Sequence, residues 1–464
     1  MDKQMNAPRS NNPRRKQRSK LQIIKEDYLP SIILLIGFVL IITFTIGSIV
    51  RSVQKKQYLK SQEQQAITES EVSKASLEAE AVALLEEAAV YAKNLDYKAA
   101  LAVLDRFSGD MYAFPEFSAK YAEYAKLDAN MVLWDDPSKV VSLSFQPLIA
   151  DPVRAYANSV YGTSYYNNFV TVDEFTKILQ QLYENGYMLI RHSDMVGEDG
   201  KMEIYLPNGK KPLLLTETHV NYNTYMIDGD GDKLPDKDGS GFASKLIVDE
   251  NGNLSCEMVD NQGNVVTGAY DIVPILNSFV QTHPDFSYRG ARAVLALTGY
   301  DGLFGYRTSK SALDYFGKAF HDQQIEGAKK VIEAVKNSGY ELACYSYENE
   351  PYGTNSTDFI KNEMELWKEE VTPLLGEIKL FVFCRNSDIG ENGVPYSGEK
   401  FEILQSYGFT DYMGFSKEGE YWFNDYGTYT RLGRVLVTGQ NIASHPAWFE
   451  GIFDAYSIKD KARN

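Results

Sequence analysis

The chain has 464 residues, 44% of them hydrophobic, and a formal net charge of −16 at pH 7. That mass suffices for one large core or two to three domains, and three cysteines (Cys256, Cys344, Cys384) exclude a disulfide-framed mini-protein. The charge is lopsided: residues 1–28 hold eight Lys/Arg against three acids, a net +5, so the remainder carries −21. An acidic body excludes nucleic acid as the partner, because phosphate binding needs a basic surface.

The first element is apolar. Ile32–Val50 reads IILLIGFVLIITFTIGSIV, 19 residues without a charge, long enough to cross a bilayer as a helix. PRRKQRSK precedes it at 13–20, and the heavier positive bias on that side predicts a cytoplasmic N-terminus. The run exceeds a signal-peptide core and no small-x-small cleavage site follows, so the expectation is a retained single-pass anchor. Residues 1–28 then form a cytoplasmic basic segment, 29–51 the transmembrane helix, and 52–134 an extracellular helical stalk or hairpin rich in Glu, Lys, Gln and Ala. Leu95-Asp96 marks a turn within it.

From 135 to 464 the texture is that of one further domain. VVSLSFQPLI (140–149) predicts a strand, and Thr171 with Glu174 forms a capping box opening a helix to about Asn185. Gly186 ends that helix and YMLIR (187–191) follows as a strand. The same helix–Gly–strand phrase recurs before YELACYSY (340–347), EIKLFVFC (377–384) and FTDYMGFS (409–416). Ile272, Ile275, Leu276 and Phe279 mark one face of another helix. Such alternation predicts an α/β fold with mostly parallel strands, either a barrel or an open sheet.

In parallel α/β folds ligands bind at the C-terminal strand ends. That gathers the segments after Leu215, Cys344 and Cys384 on one rim. The first, KPLLLTETHVNY (211–222), runs from buried leucines into Thr216, Glu217, Thr218 and His219.

The words DDPSKVVSLSFQPLIADPVRAY (135–156), TVDEFTKILQQLYENGYML (171–189), THVNYNTYM (218–226), GFASKLIVDENGN (241–253) and YDIVPILNSFVQTHPDFSYRGARAVLALTGYDGLFGYRT (270–308) resemble the polysaccharide deacetylases of the NodB-homology type, carbohydrate esterase family four. The resemblance is closest to membrane-anchored members from Gram-positive bacteria. It implies a deformed (β/α) barrel and a divalent metal, usually zinc, held by one Asp and two His. A further Asp acts as base on metal-bound water. At the matching positions this chain carries Thr218 for the base and His219, Tyr345 and Asn349 for the ligands. Cys384, Arg385 and Asn386 match the substrate-groove loop. Only His219 is a zinc-ligand type.

The resemblance therefore implies a degenerate centre without zinc, and a cell-surface pseudoenzyme that binds cell-wall or surface polysaccharide. The alternatives are a rebuilt, active deacetylase in which His219 recruits Glu217, Glu348 or Glu350 around zinc, and an interaction protein acting through its stalk on a protein partner. His192, His283, His321 and His445 lie in other segments. Separately, DGDGDKLPDKDG (228–239) spaces Asp228, Asp230, Asp232 and Asp236 like an oxygen-rich calcium loop, although Lys233 and Gly239 depart from the EF-hand pattern.

Overall fold

The computed structural model describes residues 28–196, 202, 204–228, 233–236 and 239–463. The chain divides into two compact units, Met1–Ala81 and Val82–Asn464. The basic segment before residue 28 lies outside the described residues.

The first unit is built on the long helix Leu29–Lys93, which runs without interruption through the apolar span and the polar sequence after it. Among the described residues it is the one helix long and apolar enough to cross a membrane. Its few polar side chains in the apolar run bond back to the helix: Thr43 Oγ1 donates to Val39 O (2.9 Å), Thr45 Oγ1 to Ile41 O (2.6 Å) and Ser48 Oγ to Thr45 O (2.9 Å). No hydroxyl there needs water, which suits a hydrocarbon surrounding.

In the second unit the helix ends at Lys93. Leu95 adopts φ +61°, and the Asp96 side chain accepts from Ala99 N to start the helix Tyr97–Leu104. A third helix, Pro115–Ala129, follows.

The centre of this unit is a closed barrel of seven parallel strands. In chain order they are β1 (Val141–Phe145), β2 (Lys211–Thr218), β3 (Ala293–Leu297), β4 (Glu341–Cys344), β5 (Leu380–Val382), β6 (Asp411–Phe415) and β7 (Thr430–Leu436). The ring runs β6–β5–β4–β3–β2–β1–β7, and β7 pairs with β6 to close it. The barrel expectation holds, and the open-sheet alternative is excluded by that last pairing. The strand expected at 187–191 forms over Tyr187–Leu189; it pairs with the start of β2, with one isolated bridge from Leu189 to Ser287, and lies outside the ring. Two staves, β3 and β7, were not anticipated as strands.

The helix–Gly–strand phrases have the expected cause. Gly339, between the helix Lys318–Asn337 and β4, has φ +91°, and a Cβ there would lie 2.1 Å from Gly290 O. Only glycine fits.

Side chains alternate between two cores. Leu214, Val294, Ala296, Ala343, Val382, Met413 and Leu432 fill the barrel interior. Leu143, Leu213, Leu215, Leu295 and Leu297 face outward under the helices, against Phe175, Ile178, Leu276, Val331 and Met364. Strands buried on both faces read as continuous apolar runs, which is why the alternation is not visible in the sequence.

The capping box forms as predicted. Glu174 N meets Thr171 Oγ1 at 3.2 Å, and Glu174 Oε2 accepts from Thr171 N at 2.9 Å. The same fully buried carboxylate is gripped by Arg463 from the C-terminal end of the chain, Nε to Oε1 at 2.5 Å and Nη2 to Oε2 at 2.9 Å.

Candidate functional site

The C-terminal ends of β2, β4 and β5 lie on one rim of the barrel, and the residues after them form its mouth. Thr218, the last residue of β2, turns its hydroxyl inward and donates to Phe145 O at 3.2 Å. His219 follows with φ +61° and packs edge-on against Tyr345, ring centres 4.9 Å apart at 76°. Tyr345 comes from the end of β4, and Asn349 from the loop beyond it faces His219. Thr218, His219, Tyr345 and Asn349 therefore converge.

Cys384 follows β5 and is buried. Its thiol donates to Glu350 O at 2.9 Å and lies 3.8 Å from Ser346 Oγ. Arg385 is half-exposed, 3.7 Å from Glu350 Oε1, and Asn386 stands beside it at φ +51°.

The mouth is electrostatically unusual because of Arg434, which sequence reasoning missed. It projects from β7 into the lumen with no exposed surface. Its guanidinium donates to Phe383 O (2.6 Å), Met413 O and Gly414 O (3.0 Å each) and Ser144 Oγ (3.2 Å). Carbonyl dipoles, rather than a carboxylate, hold the charge. It lies 5.9 Å over the Tyr345 ring. Burial raises the Tyr345 phenol to about 12, against the opposing pull of Arg434, so it is neutral at physiological pH. Burial likewise raises the Cys384 thiol to about 12, which removes it as a nucleophile.

His219 is pushed down to about 4, chiefly by burial, with Arg385 and Arg434 adding repulsion and Asn349 opposing. Its Nδ1 and the Asn349 Oδ1 are both buried and outside hydrogen-bond geometry. The folded ring binds fewer protons than the unfolded one between pH 6.5 and 4. Its contribution to stability is therefore complete above 6.5 and falls away as pH drops toward 4. Histidine-labelled NMR should show the His219 ring neutral at pH 5; a midpoint near 6.5 would contradict the burial argument.

Glu217 corrects one expectation. It sits on the opposite face of β2 from Thr218, among the outward residues, and its pKa is raised well above normal by burial and by Asp271. Asp271 caps the helix Ile272–Thr282, accepting from Leu148 N (2.9 Å) and Ile272 N (2.8 Å). Glu217 therefore cannot join His219 in a rebuilt centre. Glu348 is exposed, and Glu350 sits by Arg385. Among the described residues, no three His, Cys, Asp or Glu side chains gather to hold a metal.

The donor set itself does not fit zinc. A hydroxyl, one imidazole, a neutral phenol and an amide surround the place, and the fixed guanidinium of Arg434 repels a second cation.

The loops at this rim are held in costly backbone. Of the eleven non-glycine residues with positive φ among those described, seven follow β2 to β5: His219, Tyr222, Phe304, Ser346, Asn349, Arg385 and Asn386. Such strain persists only where surrounding contacts over-determine it, and it concentrates at functional sites. Asn221 supplies one of those contacts, accepting from Thr298 N (2.9 Å) and donating to Thr298 O (2.7 Å). Arg307 bonds Tyr222 O and Asp301 O, at 3.0 Å each.

Glu363, from the helix Thr357–Leu366, accepts from Tyr347 N (3.0 Å) and Glu348 N (2.9 Å). Burial, with Glu348 and Glu350 nearby, raises its carboxyl to about 7. Folding thus takes up a proton between pH 4.5 and 7, so this group's contribution declines as pH rises through that window. Denaturation of Glu363→Gln against the parent should show a stability difference that changes across pH 4.5–7. Parallel profiles would contradict it.

Two tyrosines missed in the sequence complete the mouth. Half-buried Tyr225 and Tyr300 lie within electrostatic reach of each other, and of Tyr345 and Arg385 respectively. Tyr161, 39% exposed, packs against Tyr225 with centres 5.6 Å apart. Beside Tyr225 opens a cavity of about 390 Å³ lined by Arg154, Asn158, Asn261, Asp228 and Asp236. Asp228 Oδ2 accepts from Lys233 N at 2.8 Å, and Asp236 N donates to Ile227 O at 2.8 Å. Asp230 and Asp232 lie outside the described residues.

No protein-family model matches the chain, and no curated protein matches it. Among solved structures, the Streptococcus pyogenes deacetylase PplD in complex with acetate is similar at 15% sequence identity and a TM-score of 0.37, covering 66% of this chain and 95% of that one.

Proposed function

We propose that this chain is a single-pass, membrane-anchored protein of the cell surface, with a cytoplasmic N-terminus. Its deacetylase-like barrel has exchanged hydrolysis for recognition and binds polysaccharide at the mouth. One observation supports the reading: Thr218, neutral His219, Tyr345 and Asn349, the residues that the resemblance sets at the base and ligand positions, converge at the mouth beside the buried guanidinium of Arg434. These groups make hydrogen bonds and stacking surfaces but lack the carboxylate base and the set of metal ligands that the resemblance implies for hydrolysis.

Tyrosine rings with amide and hydroxyl neighbours suit sugars, whose apolar faces stack while their hydroxyls bond. Tyr161, Tyr225, Tyr300, Asn158 and Asn261 provide that mixture. The test uses the full chain in detergent, presented with cell-wall and surface polysaccharide fractions. Retention is expected, and Tyr225→Ala should weaken it roughly tenfold, the upper end of the about 0.5–1.5 kcal/mol of one aromatic contact. Failure to bind any fraction would overturn the glycan reading. Acetate release from an N-acetylated polysaccharide, abolished by His219→Ala, would replace it with the enzyme reading. The acidic loop is proposed to take calcium, and calcium should then raise the unfolding temperature.

A further inference from the structure

A second cavity, about 680 Å³, opens at the opposite end of the barrel, beside the N-terminal ends of β3 and β4. Three arginines line it in a chain that is otherwise strongly acidic: Arg191, Arg289 and Arg292. Arg289 has a carboxylate partner, Asp96 at 3.4 Å, and is held at φ +50°.

The other two have none within ion-pair distance among the described residues. The Arg191 guanidinium makes one hydrogen bond, Nη2 to Arg289 O at 2.9 Å. Arg292 spends Nε on Asn277 Oδ1 (3.0 Å) and Nη1 on Ser287 Oγ (3.3 Å), Gly290 O (3.2 Å) and Ala291 O (3.0 Å), which leaves Nη2 free. The two guanidiniums stand close enough for Arg191 to repel Arg292. Two acids lie near. Asp249 turns its carboxylate onto its own turn, accepting from Asn251 N (2.9 Å) and Asn253 N (2.8 Å), and Asp194 accepts from Arg191 N (2.8 Å).

Two half-buried, mutually repelling guanidiniums with donors to spare form a site for an oxyanion, which their fork geometry matches. The rest of the wall is neutral and polar, with Asn94, Asn337, Ser278 and Gln281. The cavity is far larger than one oxyanion and falls within the range of small-molecule sites.

We propose that this basin binds a saccharide bearing a phosphate group, with Arg191 and Arg292 on the oxyanion and the amide and hydroxyl side chains on the sugar. It is independent of the mouth, so its success or failure says nothing about polysaccharide binding there.

Calorimetry on the full chain in detergent at low salt tests it, with glucose 6-phosphate, inorganic phosphate and glucose as probes. Glucose 6-phosphate should bind at one site, at least tenfold more tightly than inorganic phosphate, with glucose silent and affinity falling as salt rises. Arg191→Gln should weaken binding tenfold or more. It removes one hydrogen bond and no ion pair, so the fold survives it, whereas Arg292→Gln serves as a second variant checked by circular dichroism. No binding of glucose 6-phosphate, or binding that Arg191→Gln leaves unchanged, would overturn the site. Equal affinity for inorganic phosphate would overturn the saccharide assignment.

Discussion

Arg463→Ala should lower the unfolding free energy of the barrel unit by about 3–5 kcal/mol, the cost of leaving a buried charge without its partner. Glu174 is fully buried and answers to three parts of the chain. It caps its own helix through Thr171, accepts Asp460 N at 3.1 Å, and holds the Arg463 fork. The guanidinium also bonds Phe169 O at 2.7 Å and Tyr166 O, so the end of the chain is tied to the loop before the helix. Against a typical total of about 5–15 kcal/mol, the loss is large. Arg463→Met with Glu174→Gln should cost less than Arg463→Met alone, because no bare charge remains. Denaturant midpoints of the four proteins form the cycle. A single-variant loss below about 1 kcal/mol would show that water replaces the arginine.

Arg434→Ala is the second large effect, expected at about 3–5 kcal/mol. It opens a cavity in the lumen and strips donors from Phe383, Met413 and Gly414, each buried acceptor left bare costing about 1–3 kcal/mol. Not all of that is lost, since Met413 O keeps Phe383 N at 2.9 Å. Arg434→Lys should not restore the parent stability, because one ammonium cannot reach four acceptors spread over β1, β5 and β6. Full recovery by lysine would mean that charge alone matters there. The same arginine takes up the space and charge of the mouth, so the variant also bears on what the site can hold.

The strands legible in the sequence were β1 and β2, as apolar runs, and β4, β5 and β6, each of which follows a glycine-capped helix. β7 was not, because TRLGRVL carries Arg431 and Arg434, and nothing in the sequence says that both are buried. The partners that permit this, Asp388 at 3.0 Å for Arg431 and a ring of carbonyls for Arg434, are distant in the chain. Arg431 also lies 3.8 Å over the Tyr396 ring, which no spacing rule connects to it.

The convergence of the loops after β2, β4 and β5 followed from parallel topology and needed no side chains. Which of Glu217 and Thr218 faces the lumen did not. β2 is buried on both faces, so its leucines carry no inside–outside contrast, and a one-residue shift exchanges the two. Nothing in the sequence around Tyr225 and Tyr300 marks them as mouth residues, since a tyrosine more often packs than binds.

The most direct measurement is zinc titration of the full chain in detergent by calorimetry. A mouth built of Thr218, Tyr345, Asn349 and a buried guanidinium around one neutral imidazole predicts no tight single-site binding that depends on His219. Tight one-site zinc binding that disappears in His219→Ala would contradict the account and establish a metal centre at the barrel mouth.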